Sequence, residues 1–124
     1  MSADRLWAVR GAVKVERNER EAILGATTEL VEELVAQNEL VPERIVSVIF
    51  TCTDDLDAEF PAVAARELGL TRVPLLTTRE ISVPGAMPRV VRVLAHYYAA
   101  PDHQPTHVYL GEAQALRADL NSAQ

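Results

Sequence analysis

One short run near the middle of the chain limits the folds available to it. In IVSVIF, residues 45–50, apolar and mostly β-branched side chains occupy both faces of a predicted strand, which is typical of a strand covered on both sides. Predicted helices precede it, at 19–38, and follow it, within 53–70. A length of 124 residues is typical of one domain, here 1–124. Alternating strands and helices in so short a chain predict a small α/β or α+β sheet with helices on one side. A second copy of the chain would then cover the other face.

Hydrophobic periodicity assigns the remaining elements. Alternation predicts a strand at 7–16, and residues 72–78 and 106–113 also have the pattern of strands. In residues 86–100, an apolar stripe with helical spacing predicts a third helix, with Arg92 outside the stripe. The stripe consists of Met87, Val90, Val91, Leu94 and Tyr98. The predicted order is β-α-β-α-β-α-β.

Charge and residue types exclude several classes of function. A net charge of −6 argues against nucleic-acid binding, which depends on a basic surface. No apolar stretch approaches the length of a membrane span, and the single cysteine, Cys52, fits a reducing compartment, so we expect a cytoplasmic protein. The three histidines lack metal-ligand spacing, so the sequence predicts no metal site. No motif for a catalytic nucleophile or a phosphate-binding loop is present either.

Arginines at the ends and edges of predicted elements are the strongest candidates for a binding site. These and their possible companions are Arg10, Arg66, Arg92, Arg117, Glu80, Phe60 and Tyr109. Arg10 lies between Ala8 and Ala12 on its own strand face, and these small neighbours leave room for the guanidinium to meet a planar anion. Each candidate also has an ordinary explanation as a solvated or boundary residue, so the pattern alone leaves the site open.

Four blocks of the sequence, in order, resemble the AroH-class chorismate mutases: VRGAVKVERNE, FPAVAARELG, REISVPGAMPRVVRV and HVYLGEAQALRADL. The similarity runs from about Arg5 to Leu120. The resemblance implies a homotrimer that forms a pseudo-α/β-barrel, with active sites in the clefts between subunits. It also implies the Claisen rearrangement of chorismate to prephenate, on the route to phenylalanine and tyrosine. Such a unimolecular reaction needs no nucleophile, proton shuttle or cofactor.

The resemblance implies a role for each candidate. Arg10 would hold a substrate carboxylate with the help of Tyr109, Arg92 would meet the ether oxygen, and Glu80 would accept a hydrogen bond from the substrate hydroxyl. Phe60 and Arg66 would line the cleft from the neighbouring subunit. The remaining expected substrate-binding residues are Thr77, Leu116 and Arg117, the last at the start of a tail, 117–124, expected to be flexible.

Three positions depart from the family pattern. Thr77 replaces a cysteine, Val63 replaces a lysine of some relatives, and Ala86 replaces a glycine. Two other functions stay open, namely a non-catalytic small-molecule-binding trimer and an imine deaminase of the Rid type. The pairing of Glu80 with Arg92 favours the mutase, because a carboxylate-binding site alone needs no second arginine at a developing oxyanion.

Overall fold

Five strands form one mixed sheet in the computed structural model, which describes residues 3–117. In chain order they are β1 (Arg5–Lys14), β2 (Ile45–Cys52), β3 (Leu75–Arg79), β4 (Val90–Ala99) and β5 (Val108–Leu110). Their spatial order is β3-β2-β4-β1-β5. Strand β4 is antiparallel to both of its neighbours, whereas β3 and β5 run parallel to β2 and β1. The prediction of a small mixed sheet in an α+β domain is confirmed.

Helices pack against one face of this sheet. They are α1 (Arg20–Asn38) and α2 (Ala62–Glu67), and residues with helical spacing along α1 are buried, namely Ile23, Thr27, Leu30, Val31 and Leu34. Asn38 ends α1 by binding the segment before β5: its Nδ2 donates to the carbonyl of Thr106 at 2.9 Å, and its Oδ1 accepts from the N–H of Thr106 at 2.7 Å. Short 3-10 helices span Pro42–Arg44 and Gly111–Ala115. No helix of the described residues is long and apolar enough to cross a membrane.

The helix predicted at 86–100 is wrong, because most of this segment forms β4, the central strand of the sheet. Its buried side chains alternate along the strand and join the core beneath the helices: Val91, Val93, Ala95 and Tyr97. Those between them, which include Arg92, point to the other face. Both faces of the segment carry apolar residues, so a subset of them imitates helical spacing. The observed order is therefore β-α-β-α-β-β-β.

The opposite face of the sheet, called here the open face, is covered at one end only. There, the 3-10 helix Gly111–Ala115 and the residue after it close a small apolar cluster made of Ala12, Val90, Tyr109, Ala113 and Leu116. Elsewhere Leu6 and Tyr98 stay 47% and 45% exposed. A single chain thus covers β2 on one face, where Val48 and Phe50 are buried, and not on both faces as its composition suggests. Apart from Arg117, the tail expected to be flexible lies outside the described residues.

Candidate active site

A cleft of about 250 Å³ lies on the open face, where β1, β2, β4 and β5 come together. Its lining residues are Arg10, Gly11, Ile49, Thr51, Glu80, Arg92, Val93, Leu94 and Tyr109. Four predicted site residues from separate parts of the sequence, namely Arg10, Glu80, Arg92 and Tyr109, therefore share one cleft. We call it the open-face cleft.

Strand register brings these side chains together. Arg92 on β4 is paired with Ala12 of β1 on one side and with Thr51 of β2 on the other. Ala12 is also paired with Tyr109 of β5, so a small, fully buried residue separates the tyrosine from the arginine. Glu80 follows β3 directly, and its N–H donates to the carbonyl of Cys52 at 3.0 Å. This bond fixes the glutamate beside the end of β2.

Glu80 and Arg92 form an ion pair in the cleft. Arg92 Nε lies 2.6 Å from Glu80 Oε1, and the side chains are 41% and 26% exposed respectively. Arg92 Nε is shielded from solvent and has no hydrogen-bond partner. Its contact with Glu80 is therefore an ion pair without an aligned N–H. Thr51 Oγ1 donates to the same oxygen at 2.8 Å. Thr51 was missed by sequence reasoning, although strand alternation places it on the face opposite Phe50.

Tyr109 experiences the charges of three arginines. Its side chain is nearly buried, and this burial raises the pKa of the phenol, while the positive charges of Arg10, Arg92 and Arg117 act in the opposite direction. With its pKa raised, the phenol stays protonated at neutral pH and can donate a hydrogen bond. Leu116 packs in the same small cluster as Tyr109. The predicted substrate-binding residues Leu116 and Arg117 thus both lie near Tyr109, at the side of the open-face cleft.

Three other predicted residues do not reach this cleft within one chain. Phe60 and Thr77 line a second cleft, of about 300 Å³, beside the edge strand β3. Thr77 is paired with Phe50, whose side chain belongs to the core beneath the helices, so Thr77 also points to the helix side. Phe60 is 65% exposed, and Arg66 is exposed on α2. We call this second cavity the edge cleft.

The chemistry available in the open-face cleft is the binding of an anion. Arg10 and Arg92 offer positive charge and paired donors, Tyr109 offers a donor, and Glu80 offers an acceptor. In the part of the chain that the structure describes, no three His, Cys, Asp or Glu side chains are grouped so as to hold a metal ion. The cleft can therefore hold a carboxylate and place fixed positive charge beside a developing negative one.

Comparison with known proteins identifies the family. The sequence model of the family described as chorismate mutase type I matches residues 6–120. Chorismate mutase AroH of Thermus thermophilus is 50% identical over 118 residues, covering 94% of this chain and 97% of the relative. Its namesake from Bacillus subtilis (strain 168) is 39% identical over 115 residues, 91% of each chain. A solved chorismate mutase structure from Clostridium thermocellum matches with a TM-score of 0.84 and 42% identity, over 89% of this chain and 99% of that one. The chain therefore belongs to the chorismate mutase type I family.

Proposed function

We propose that this chorismate mutase, an isomerase of aromatic amino acid biosynthesis, rearranges chorismate to prephenate in the open-face cleft. The observation that carries this site assignment is the Glu80–Arg92 pair, with 2.6 Å between Oε1 and Nε, in the cleft that Arg10 and Tyr109 also line. In the rearrangement, one C–O bond breaks and one C–C bond forms within the same molecule. A site for this reaction has to hold a dianion in a compact conformation and stabilise charge on the ether oxygen.

Each side chain in the cleft has a task that its chemistry suits. Arg10 binds a substrate carboxylate through its paired donors, and the phenol of Tyr109 donates to the same group. Arg92 places its guanidinium at the ether oxygen, where electron density accumulates as the C–O bond breaks. Glu80 accepts a hydrogen bond from the substrate hydroxyl and so fixes the orientation of the ring. No proton or electron is transferred, so the proposed reaction uses no cofactor.

The proposed roles also separate the mutase from its two alternatives. A non-catalytic binding protein needs the carboxylate contact of Arg10 and gains nothing from a second arginine held beside a glutamate. An imine deaminase is disfavoured by membership of the mutase family.

We place the protein in the cytoplasm, since its one cysteine, Cys52, is free.

We further propose that three copies assemble into the pseudo-α/β-barrel and that each site is shared between neighbours. Large apolar side chains on the uncovered side of the sheet support the assembly, since Leu6 and Tyr98 are nearly half exposed in one chain. The edge cleft supports the sharing of sites. If a neighbouring copy placed its edge cleft against the open-face cleft, it would add its Phe60 and Thr77, together with Arg66 from its α2. Such an arrangement explains why these side chains lie apart within one chain.

The substitution Arg92→Ala tests the proposed mechanism. Removing one preorganised donor to a developing oxyanion typically costs about 10²- to 10³-fold in turnover, or roughly 3–4 kcal/mol. We expect kcat for chorismate to fall by about that factor, with a much smaller change in KM, because the interaction exists mainly in the transition state. The measurement is the loss of chorismate under saturating conditions.

Two comparisons keep this test decisive. Arg72→Ala, which removes an exposed arginine outside both clefts, should keep the parental kcat. Circular dichroism melting of Arg92→Ala should match the parent, which excludes loss of folding as the cause. A folded Arg92→Ala protein with near-parental kcat would disprove the role of Arg92, and loss of activity only through unfolding would make Arg92 a structural residue.

A further inference from the structure

A histidine outside the proposed catalytic set holds the backbone of the carboxylate-binding arginine. The N–H of Arg10 donates to His107 Nδ1 at 3.1 Å. The pairing of β1 with β5 begins one residue later on both strands, where Gly11 is opposite Val108. The imidazole thus extends the ladder between the two strands by one further hydrogen bond.

The approach of β5 to β1 brings the ring within reach. A Cβ added to Gly11 would lie 2.5 Å from the carbonyl oxygen of Val108, so only glycine permits strands this close. On the other side of the segment, the side chain of Asn38 binds both the N–H and the carbonyl of Thr106. The residue before His107 is therefore fixed to α1, and the residue after it is fixed to β1.

The hydrogen bond requires one protonation state of the ring. Nδ1 accepts only when it carries no proton, so His107 is neutral with its proton on Nε2. The charged groups that act on the ring are Arg10 from β1 and Arg117 from the C-terminal segment, while Asn38, the polar residue of α1 at this segment, is uncharged. Partial burial, followed by these two positive charges, lowers the pKa of His107, which favours the accepting form.

We infer that His107 is a positioning residue, which fixes the backbone of Arg10 and so aims its guanidinium at the substrate carboxylate. This inference rests on the proposed role of Arg10. A protonated ring would present a second donor to the N–H of Arg10 and would break the bond. Because a carboxylate contact exists in both the ground state and the transition state, loosening Arg10 raises KM more than it lowers kcat.

Three substitutions separate the acceptor from the rest of the ring. His107→Ala removes the acceptor, and we expect KM for chorismate to rise about two- to tenfold, the range for one hydrogen bond. His107→Asn places its Oδ1 near the position of Nδ1 and should return KM close to the parental value. His107→Gln carries its acceptor one bond farther out and should behave like the alanine variant. If His107 only stabilised the fold, KM for chorismate would not follow this order across the three variants.

The pH dependence gives a second readout. In the parent, KM should rise as the pH is lowered below the ordinary pKa of histidine, about 6.5, because the pKa of His107 is lowered and its ring takes up a proton only in that more acid range. In His107→Asn, which does not titrate, this rise should disappear. The control His96→Asn changes a histidine that contacts Ser47 instead of Arg10, and it should keep the rise.

The outcomes distinguish this inference from the role on which it rests. A parental KM in His107→Ala, or an unchanged acid rise in His107→Asn, overturns the positioning role of His107. Arg10→Ala should raise KM at least as much as His107→Ala, and an unchanged KM there overturns the proposed role of Arg10. The double variant should be no worse in KM than Arg10→Ala alone, because His107 acts through Arg10. Additive losses would overturn the inference.

Discussion

Glu80 receives two interactions at one carboxylate oxygen, and this determines how it can meet a substrate. The hydroxyl of Thr51 donates to Oε1 at 2.8 Å, and Arg92 Nε lies 2.6 Å from the same atom. Both fix the carboxylate on a rigid sheet, so the proposed hydrogen bond to the substrate hydroxyl costs little reorganisation. The pattern of the sequence indicated Glu80 and Arg92 but not Thr51, because threonine is common in strands for reasons of packing alone.

The substitution Thr51→Val tests this support of Glu80. Valine has nearly the same shape and cannot donate, so we expect kcat/KM for chorismate to fall about tenfold, or about 1.4 kcal/mol. Thr51→Ser keeps the hydroxyl and should stay within about twofold of the parent. Full kcat/KM in a folded Thr51→Val protein would mean that the hydroxyl does not orient Glu80.

At the scale of elements, the sequence predicts α1, β1 and β2 well and mistakes β4 for a helix. The stripe of α1 spans about three turns, from Ile23 to Leu34, and charged residues such as Glu29 and Glu32 occupy the exposed side, so the helical pattern has no competing interpretation as a strand. The segment of β4 is apolar on both faces, since Leu94 and Tyr98 occupy the open face while the alternating valines enter the core. Arg92 was still predicted to belong to the site, because helical spacing and strand alternation both direct its side chain away from the core. Pairing partners such as Ala12 are set by the tertiary structure and could not be predicted.

The contact between β1 and β5 leads to a prediction at the same scale. In Gly11→Ala, the new Cβ would lie 2.5 Å from the carbonyl of Val108 and 3.1 Å from Leu30 Cδ1. The strands would have to separate, which moves Tyr109 away from Arg10. We expect the free energy of unfolding in urea to decrease by about 1–3 kcal/mol, and KM for chorismate to rise.

A second glycine provides the control for this substitution. Gly25 lies on the exposed side of α1, and a Cβ there meets nothing within 4 Å. Gly25→Ala should therefore keep KM and increase the free energy of unfolding by up to about 1 kcal/mol. If Gly11→Ala matched the parent in both stability and KM, the close approach of β5 would have no part in building the site.

At the scale of the whole molecule, the proposed site is divided between two sides of the sheet. The open-face cleft contains Arg10 and Arg92, and the edge cleft contains Phe60 and Thr77. Successive residues of β3 point to opposite faces, so no small movement brings Thr77 into the open-face cleft of its own chain. The resemblance in sequence implied a neighbouring subunit for Phe60 and Arg66, and hydrophobic periodicity could not, since it gives no information about relations between chains.

Mixing inactive variants tests whether sites are shared. If Arg66 and Arg92 of one site come from different chains, Arg66→Ala and Arg92→Ala subunits mixed in equal amounts should form intact sites in about one quarter of cases. We therefore expect up to about a quarter of the parental activity to return. Mass spectrometry of the mixed oligomers confirms that subunits exchange.

A second mixture provides the control. Arg10 and Arg92 line the same cleft of one chain, so mixing Arg10→Ala with Arg92→Ala subunits leaves every site with a defect. No activity should return in this mixture. Recovery here, or none with Arg66→Ala despite confirmed exchange, would contradict the proposed division of the site.

The central position of β4 also determines which parts of the protein can open without unfolding the whole. Strand β4 is paired with neighbours on both sides, so its amides become free only when the entire sheet comes apart. Edge strands detach at lower free energy, and β5, with three residues, is the shorter of the two. We therefore expect the amides of β4, which carries Arg92, to exchange with deuterium more slowly than those of β5, which carries Tyr109. The guanidinium proposed to act on the breaking bond is therefore held by the part of the sheet that we expect to open last.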